Sequence, residues 1–495
     1  MSDDVMDRRV VLGGQTRGRG ILTGTRQPLE WAGMAATGLL LVPVLTGGHL
    51  GWVQLVLTLL VLGVAFGAWT PFPGPLDNRS VAAHVAGWDR WWSTRRSEPV
   101  FVPGERFAYP KAVGLVRPVT VELPDGSPLA LVRHANPGRA HFWTACFERI
   151  GESAGLVADW EFGAAHEGWG RFLSGLARQG SLVRTVQEVT RVVPYDTADH
   201  TRWVMAKVPK DVPAVLGQSY VQLLDLAAEV TEQHRGWVVF RIPVTPVFSL
   251  QARQIGRDAE AVLVAREMGA VIERAAACGL ALRPLTESRL AGVLRSLQDP
   301  AWPIDRLAGL TFDTAWLPLD QRPRRHVVVR GADGDQLVRS AVVPVDGVEP
   351  GRFAPDFLHP LLSGVSPSVV RTISTVTNLV PAHKARSEAR QDVTVDRAAK
   401  REAALKVTDG SEDEQLTASS QRLRDLRPGT GHQGADWGMV LTVTARSADA
   451  LATACRQVED AAQEARITRL RWLDGDQQAG LVASLPLGRG LEVRK

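Results

Sequence analysis

The sequence predicts a membrane-anchored α+β protein: an N-terminal transmembrane two-helix hairpin, then a duplicated cytoplasmic α+β domain with a protruding helical hairpin. Three observations carry this reading. Trp31 to Leu76 contains no Asp, Glu, Lys or Arg, and His49 is its one ionisable side chain. Two β-rich stretches, Val183 to Pro194 and Val370 to Pro381, recur in similar sequence surroundings. Between Pro381 and Gln433 the second stretch is followed by a long Ala-rich, charged insertion that the first lacks.

Residues 1–28 form an Arg/Gly-rich N-terminus, predicted to be cytoplasmic, and 29–70 hold the two spans. A hydrocarbon core about 30 Å thick needs roughly 20 apolar residues per helix. Leu50 to Trp69 meets that alone, whereas Trp31 to Thr46 is short and contains Pro43. Trp31, Trp52 and Trp69 lie near the span ends, where indoles favour the interface. Arginines 8, 9, 17, 19 and 26 precede the hairpin and 79, 90, 95 and 96 follow it, while the intervening turn has no Lys or Arg. That asymmetry places both termini in the cytoplasm of a multi-pass protein of the inner membrane. Arg8-Arg9-Val10-Val11-Leu12 also resembles a twin-arginine signal, but a polar Gly-rich stretch and a second span argue against export.

After Pro71, Pro73 and Pro75, Asp77 can cap a helix over 77–96 with Val81, Val85, Trp88 and Trp92 on one face, an interfacial amphipathic helix. The first α+β copy, 100–300, opens with a hairpin of Val119 to Leu123 and Pro128 to Arg133 around Pro-Asp-Gly-Ser. It continues through strands at His141 to Ile150, Ser181 to Val193, Trp237 to Val244 and Leu280 to Leu285. The helix from Asp211 to about Gln233 is predicted to turn Gln222, Asp225 and Glu229 outward and Leu223, Leu224, Leu226 and Ala227 inward. Thr286 caps a further helix.

The second copy, 310–495, repeats the order. Val183 to Pro194 aligns with Val370 to Pro381, Phe172, Leu173 and Leu176 with Phe357, Leu358 and Leu361, and Trp237 with Trp437. Recurrence in fixed order indicates duplication. The charged helical hairpin 382–427 interrupts this copy and is expected to dock a partner through exposed Leu405, Leu416, Leu423 and Leu426.

Composition excludes more chemistry than it suggests. The chain has 495 residues and a formal net charge of +4, which membrane headgroups explain as well as nucleic acid, so direct nucleic-acid binding has no support. Cys146, Cys278 and Cys455 are far apart and form no C-x-x-C, which points to reduced, buried thiols. No lysine stands in a Gly-x-x-x-x-Gly-Lys-Ser/Thr loop, so a P-loop ATPase is excluded. Gly429-Thr430-Gly431-His432-Gln433-Gly434 satisfies G-x-G-x-x-G, but between a polar helix and a strand, the reverse of a dinucleotide site. His166-Glu167 lacks the second helical His of a zincin, and His134 and His141 lack carboxylates at ligand spacing. No catalytic, cofactor-binding or metal-binding residue is assigned, and no enzyme activity is expected.

Trp169-Gly170-Arg171-Phe172-Leu173-Ser174-Gly175-Leu176, the Val186 to Pro194 strand with Arg191, and Leu485-Pro486-Leu487-Gly488-Arg489-Gly490-Leu491 complete a recognisable order. The chain resembles actinobacterial membrane proteins of conjugation or type IV secretion-like systems. Such proteins look like a two-helix membrane subunit fused to the N-terminal, non-ATPase region of the large secretion ATPase. The resemblance implies a structural membrane subunit, oligomeric in its assembly, contacting the lipid bilayer, other membrane subunits and a separate secretion ATPase. Two other readings stay open: a type VII secretion subunit, and a membrane-anchored envelope enzyme without a recognisable motif.

Overall fold

The computed structural model describes residues 10–12, parts of 85–96, 203–204, 206–207, and the remainder of 100–490 apart from 106–107, 137–139, 152–158, 179, 196–202, 205, 208–212, 257–258, 303, 305–308, 345–346, 350 and 404–410. The segment 29–70, read above as two spans, lies outside the described residues. Among the described residues no helix is long and apolar enough to cross a membrane. Within the described residues that finding stands against the multi-pass membrane protein expected above, and the fold there is set by a sheet.

In chain order the strands are β1 (Val10–Leu12), β2 (Val100–Phe101), β3 (Val116–Glu122), β4 (Pro128–His134), β5 (Phe142–Ile150), β6 (Thr185–Pro194), β7 (Glu232–Pro243) and β8 (Ala281–Pro284). They continue as β9 (Leu319–Asp320), β10 (Val327–Gly331), β11 (Gly334–Val343), β12 (Gly351–Phe353), β13 (Val370–Val380), β14 (Gly434–Ala445) and β15 (Arg471–Trp472). The helices are α1 (Asp159–Leu176), α2 (Ala214–Val230), α3 (Pro246–Ile255), α4 (Glu260–Ala277), α5 (Glu287–Gln298), α6 (His359–Ser363), α7 (Ala382–Ala403), α8 (Ser411–Asp425), α9 (Ala448–Glu464) and α10 (Gln477–Ser484).

Local chemistry explains several boundaries. Asp125 accepts from Ser127 N at 2.9 Å and Gly126 takes φ +82°, so the Pro-Asp-Gly-Ser turn closes β3 onto β4. Thr245, Thr286 and Ser447 each accept from the backbone N–H three residues on, capping α3, α5 and α9.

Thirteen strands form one antiparallel sheet in the order β2-β9-β10-β11-β14-β13-β6-β7-β5-β4-β3, with β15 added to β11 and β8 to β5. The order is the same read outward from its middle pair. β13 and β6 are flanked by β14 and β7, then β11 and β5, then β10 and β4, and the two short strands attach at matching places. In the β6–β13 register Glu188 faces Thr375, and the sequence alignment matches those same two residues. The fold class is thereby corrected. In place of two α+β domains, one continuous sheet runs through both stretches, and 100–495 together with 1–14 is a single compact unit.

Register also corrects one match. Val189 pairs with Trp237, but its aligned counterpart Val376 pairs with Gly438, and Trp437 pairs with Thr377. A shift of one residue reverses the face. Trp237 therefore joins one core while Trp437 packs on another.

On one face, α1, α3 and α4 cover the first half through Phe147, Phe172, Leu176, Phe240, Phe248 and Met268. On the same face α6 and α9 cover the second half through Leu361, Ile373, Leu441 and Val458. The opposite face carries a core that draws on both halves, with Trp237 and Val239 beside Leu294 of α5, Phe312, Trp316 and Leu481 of α10. Gln187 and its aligned counterpart Ser374 meet at the centre of that face. Gln187 Nε2 donates to Ser374 Oγ at 2.8 Å and to the carbonyls of Ala483 and Leu485, and its Oε1 accepts from Gly488 N at 2.7 Å.

The α7–α8 pair does not stand out as a charged arm. Ala385, Ala389 and Leu426 form a small core of their own, Leu416 and Leu423 are half-buried, and α8 touches β1 and β12. Arg422 bonds Asp392 across the pair at 2.7 Å. The apolar residues expected outside are used within, because two antiparallel helices bury their facing stripes before any partner arrives. Leu405 lies outside the described residues.

The compact unit 15–99 is described at few positions. Those between 85 and 96 are helical, with Trp88 and Trp92 edge-to-face at 5.7 Å and Arg96 over Trp92 at 5.0 Å.

Candidate docking surface

The residues weighed for chemistry are dispersed. His134 is buried against Thr144 and Arg489, with no carboxylate bonded to it, whereas His166 is exposed on α1. Cys146 and Cys455 are buried, and burial pushes both thiols up, Cys455 to about 11, away from the reactive thiolate. Gly429 and Gly431 take positive φ in the turn from α8 to β14, the helix-to-strand context that disfavours a dinucleotide. Among the described residues no group of three or more His, Cys, Asp or Glu is placed to hold a metal ion.

The feature that stands apart is α2, the connection from β6 to β7. Its sequence, AVLGQSYVQLLDLAAEV, has good helix formers, and the Pro213 carbonyl accepts from Leu216 and Gly217 as the helix starts. Val215 is 74 % exposed, Leu216 61 %, Leu223 57 % and Leu226 56 %, and Val221 is 45 % exposed. The leucines at 223 and 226, expected to face inward, face solvent. Leu216, Leu223 and Leu226 fall at the a and d spacing of a heptad, with the small Ser219 at the intervening d position. Trp203, in the preceding connection, is 60 % exposed.

A helix covered by a sheet shows apolar residues on about one third of its circumference. On α2 Val215, Leu216, Val221, Leu223 and Leu226 are spread over more than one face, so no single layer could bury them all. That spread was the sequence signal for exposure. Alternation with Gln222 and Asp225 mimics an ordinary amphipathic stripe and masks it. Monomeric soluble surfaces rarely collect large apolar side chains in this density without a binding role.

Neither a protein-family model nor a curated protein matches the chain.

Proposed function

We propose that this protein is a non-catalytic scaffold that holds a helical segment of a separate motor ATPase on α2, within a conjugation or type IV secretion-like machine. One observation carries the docking role: a five-turn helix with Val215, Leu216, Leu223 and Leu226 all more than half exposed. A row of leucines at a and d spacing is the half of a helix pair that a second amphipathic helix completes. The resemblance of the Trp169 to Leu176 and Leu485 to Leu491 motifs supplies the machine, and the lack of a phosphate loop supports a motor held in trans.

The test is copurification of the full chain with proteins of its host, the captured species being identified by mass spectrometry. Wild type brings down a protein with a phosphate loop, and the double substitution Leu223→Glu, Leu226→Glu releases it. Retention of the ATPase by that variant, or capture only of proteins without a phosphate loop, overturns the reading.

A further inference from the structure

Among the described residues two arginines, Arg371 and Arg191, lie fully inside this fold, and they are treated differently. Arg371 on β13 has no exposed surface, and its guanidinium is fully engaged. Its Nε donates to the Leu361 carbonyl at 2.8 Å, Nη1 to the Val369 carbonyl at 3.1 Å and Nη2 to Glu232 Oε2 at 2.8 Å. Arg191 on β6 is 2 % exposed and makes one such bond, from Nη1 to Thr372 Oγ1 at 2.6 Å. Its Nε and Nη2 are buried with no hydrogen-bond partner.

Those two nitrogens are not an arbitrary pair. Nε–H and one Nη2–H point the same way along one edge of the guanidinium, forming the fork that takes two oxygens of a carboxylate or phosphate side by side. The bond to Thr372 fixes the other edge, so the fork is held open. Trp237 stands diagonally across the β6–β7 ladder on the same face as Arg191, and its indole N–H is also buried without a partner.

One carboxylate is shared between two guanidinium groups here. Asp299 is the carboxylate that faces both Arg191 and Arg295. Its Oδ1 is occupied by Ala301 N at 3.1 Å and Gln336 Nε2 at 3.4 Å. Arg295 lies with its Cζ over Trp302 at 5.2 Å and a buried, unbonded Nε. Even beside a carboxylate, a buried guanidinium with two N–H groups left unpaired is costly for a core to hold.

We propose that the open fork of Arg191 is an internal binding site for a small oxyanion, a phosphate or a carboxylate, which takes Nε and Nη2 together and the Trp237 N–H as a third donor. The site lies between the central strands and α5, apart from the docking surface, and does not depend on it.

Inorganic phosphate, acetate and chloride serve as probes on the full chain. Anything that binds the folded state raises Tm by mass action. At constant ionic strength phosphate or acetate gives a saturable rise of about 2 °C over chloride, a single sphere that cannot span the fork. If phosphate responds and acetate does not, the site prefers a tetrahedral anion; the reverse favours a carboxylate. Arg191→Lys keeps the charge and loses the fork, so its Tm responds equally to all three salts. Arg191→Gln behaves likewise if it folds. The proposal is overturned if wild type answers chloride as it does both oxyanions, or if Arg191→Lys retains the oxyanion response.

Discussion

The His134 ring lies flat on Phe142 with 4.2 Å between centroids, Arg489 Nη2 donates to Nδ1 at 3.0 Å, and Nε2 is 3.2 Å from Thr144 Oγ1. Arginine has no acceptor, so Nδ1 accepts and the proton resides on Nε2, which donates to Thr144. Burial, then the positive charges of Arg489 and Arg241, hold the imidazole well below its usual pKa. The folded state thus keeps His134 neutral, while the unfolded chain takes up a proton near pH 6.5. Its contribution to stability is present above that pH and is lost as pH falls below it, by at most about 1.4 kcal/mol per pH unit. Urea midpoints measured from pH 7.5 to 5 should fall in wild type and fall less in His134→Gln. An identical slope in the two proteins would assign the pH dependence elsewhere. Glu188 acts in the opposite sense. Burial pushes its carboxyl up to about 7, so Glu188→Gln should raise Tm at pH 8 and have little effect at pH 5.

At the scale of elements, the two connections across the middle of the sheet invert what their composition suggests. The polar pair α7–α8 encloses Leu426 at 4 % exposure, whereas the apolar α2 leaves Leu223 at 57 %. Leu426→Ala should therefore lower stability by about 2–4 kcal/mol, and Leu223→Ser should change it by less than about 0.5 kcal/mol, both read from urea denaturation. The strands were legible. Val183 to Pro194 contains β6, Val370 to Pro381 contains β13, and the Pro-Asp-Gly-Ser hairpin begins three residues before the expected Val119, with its second strand starting at Pro128 as expected. β-branched residues and turn chemistry are local signals, and local signals survive in sequence. The fate of a helix is not local. Leu223 and Leu426 look alike along the chain, and what separates them is whether another element comes to cover them.

For the whole molecule, the recurrence in sequence was visible but its assembly was not. Pairing of β6 with β13 joins residues nearly two hundred positions apart, and periodicity carries no information about such a partner. Thr185 Oγ1 donates to Asn378 at 2.9 Å and Arg371 reaches Glu232, so the join is held by side chains as well as by the ladder. Residues 100–495 should accordingly unfold in one transition, with intrinsic fluorescence and far-ultraviolet circular dichroism giving the same midpoint. A polypeptide of 310–495 alone should fail to fold, since it would expose the long edge of β13 and the apolar underside of α10. Two resolved transitions, or a cooperative fold in that fragment, would contradict a single unit.

The bond from Gly488 N to Gln187 Oε1 spans 301 residues. Ala483 and Leu485 hold the same glutamine, and Arg489 Nη1 donates to the Ala112 carbonyl at 3.1 Å. Translation proceeds at about 5–20 residues per second, so the centre of this sheet waits roughly 15–60 s after Gln187 emerges before its last strap can be laid down. During that interval Gln187, joined later by Ser374, offers unfilled polar groups beside a bare apolar surface, the condition under which nascent chains recruit holdase chaperones. Ribosome-bound chains stalled before residue 480 should remain protease-sensitive within β6, and those released after residue 490 should be protected.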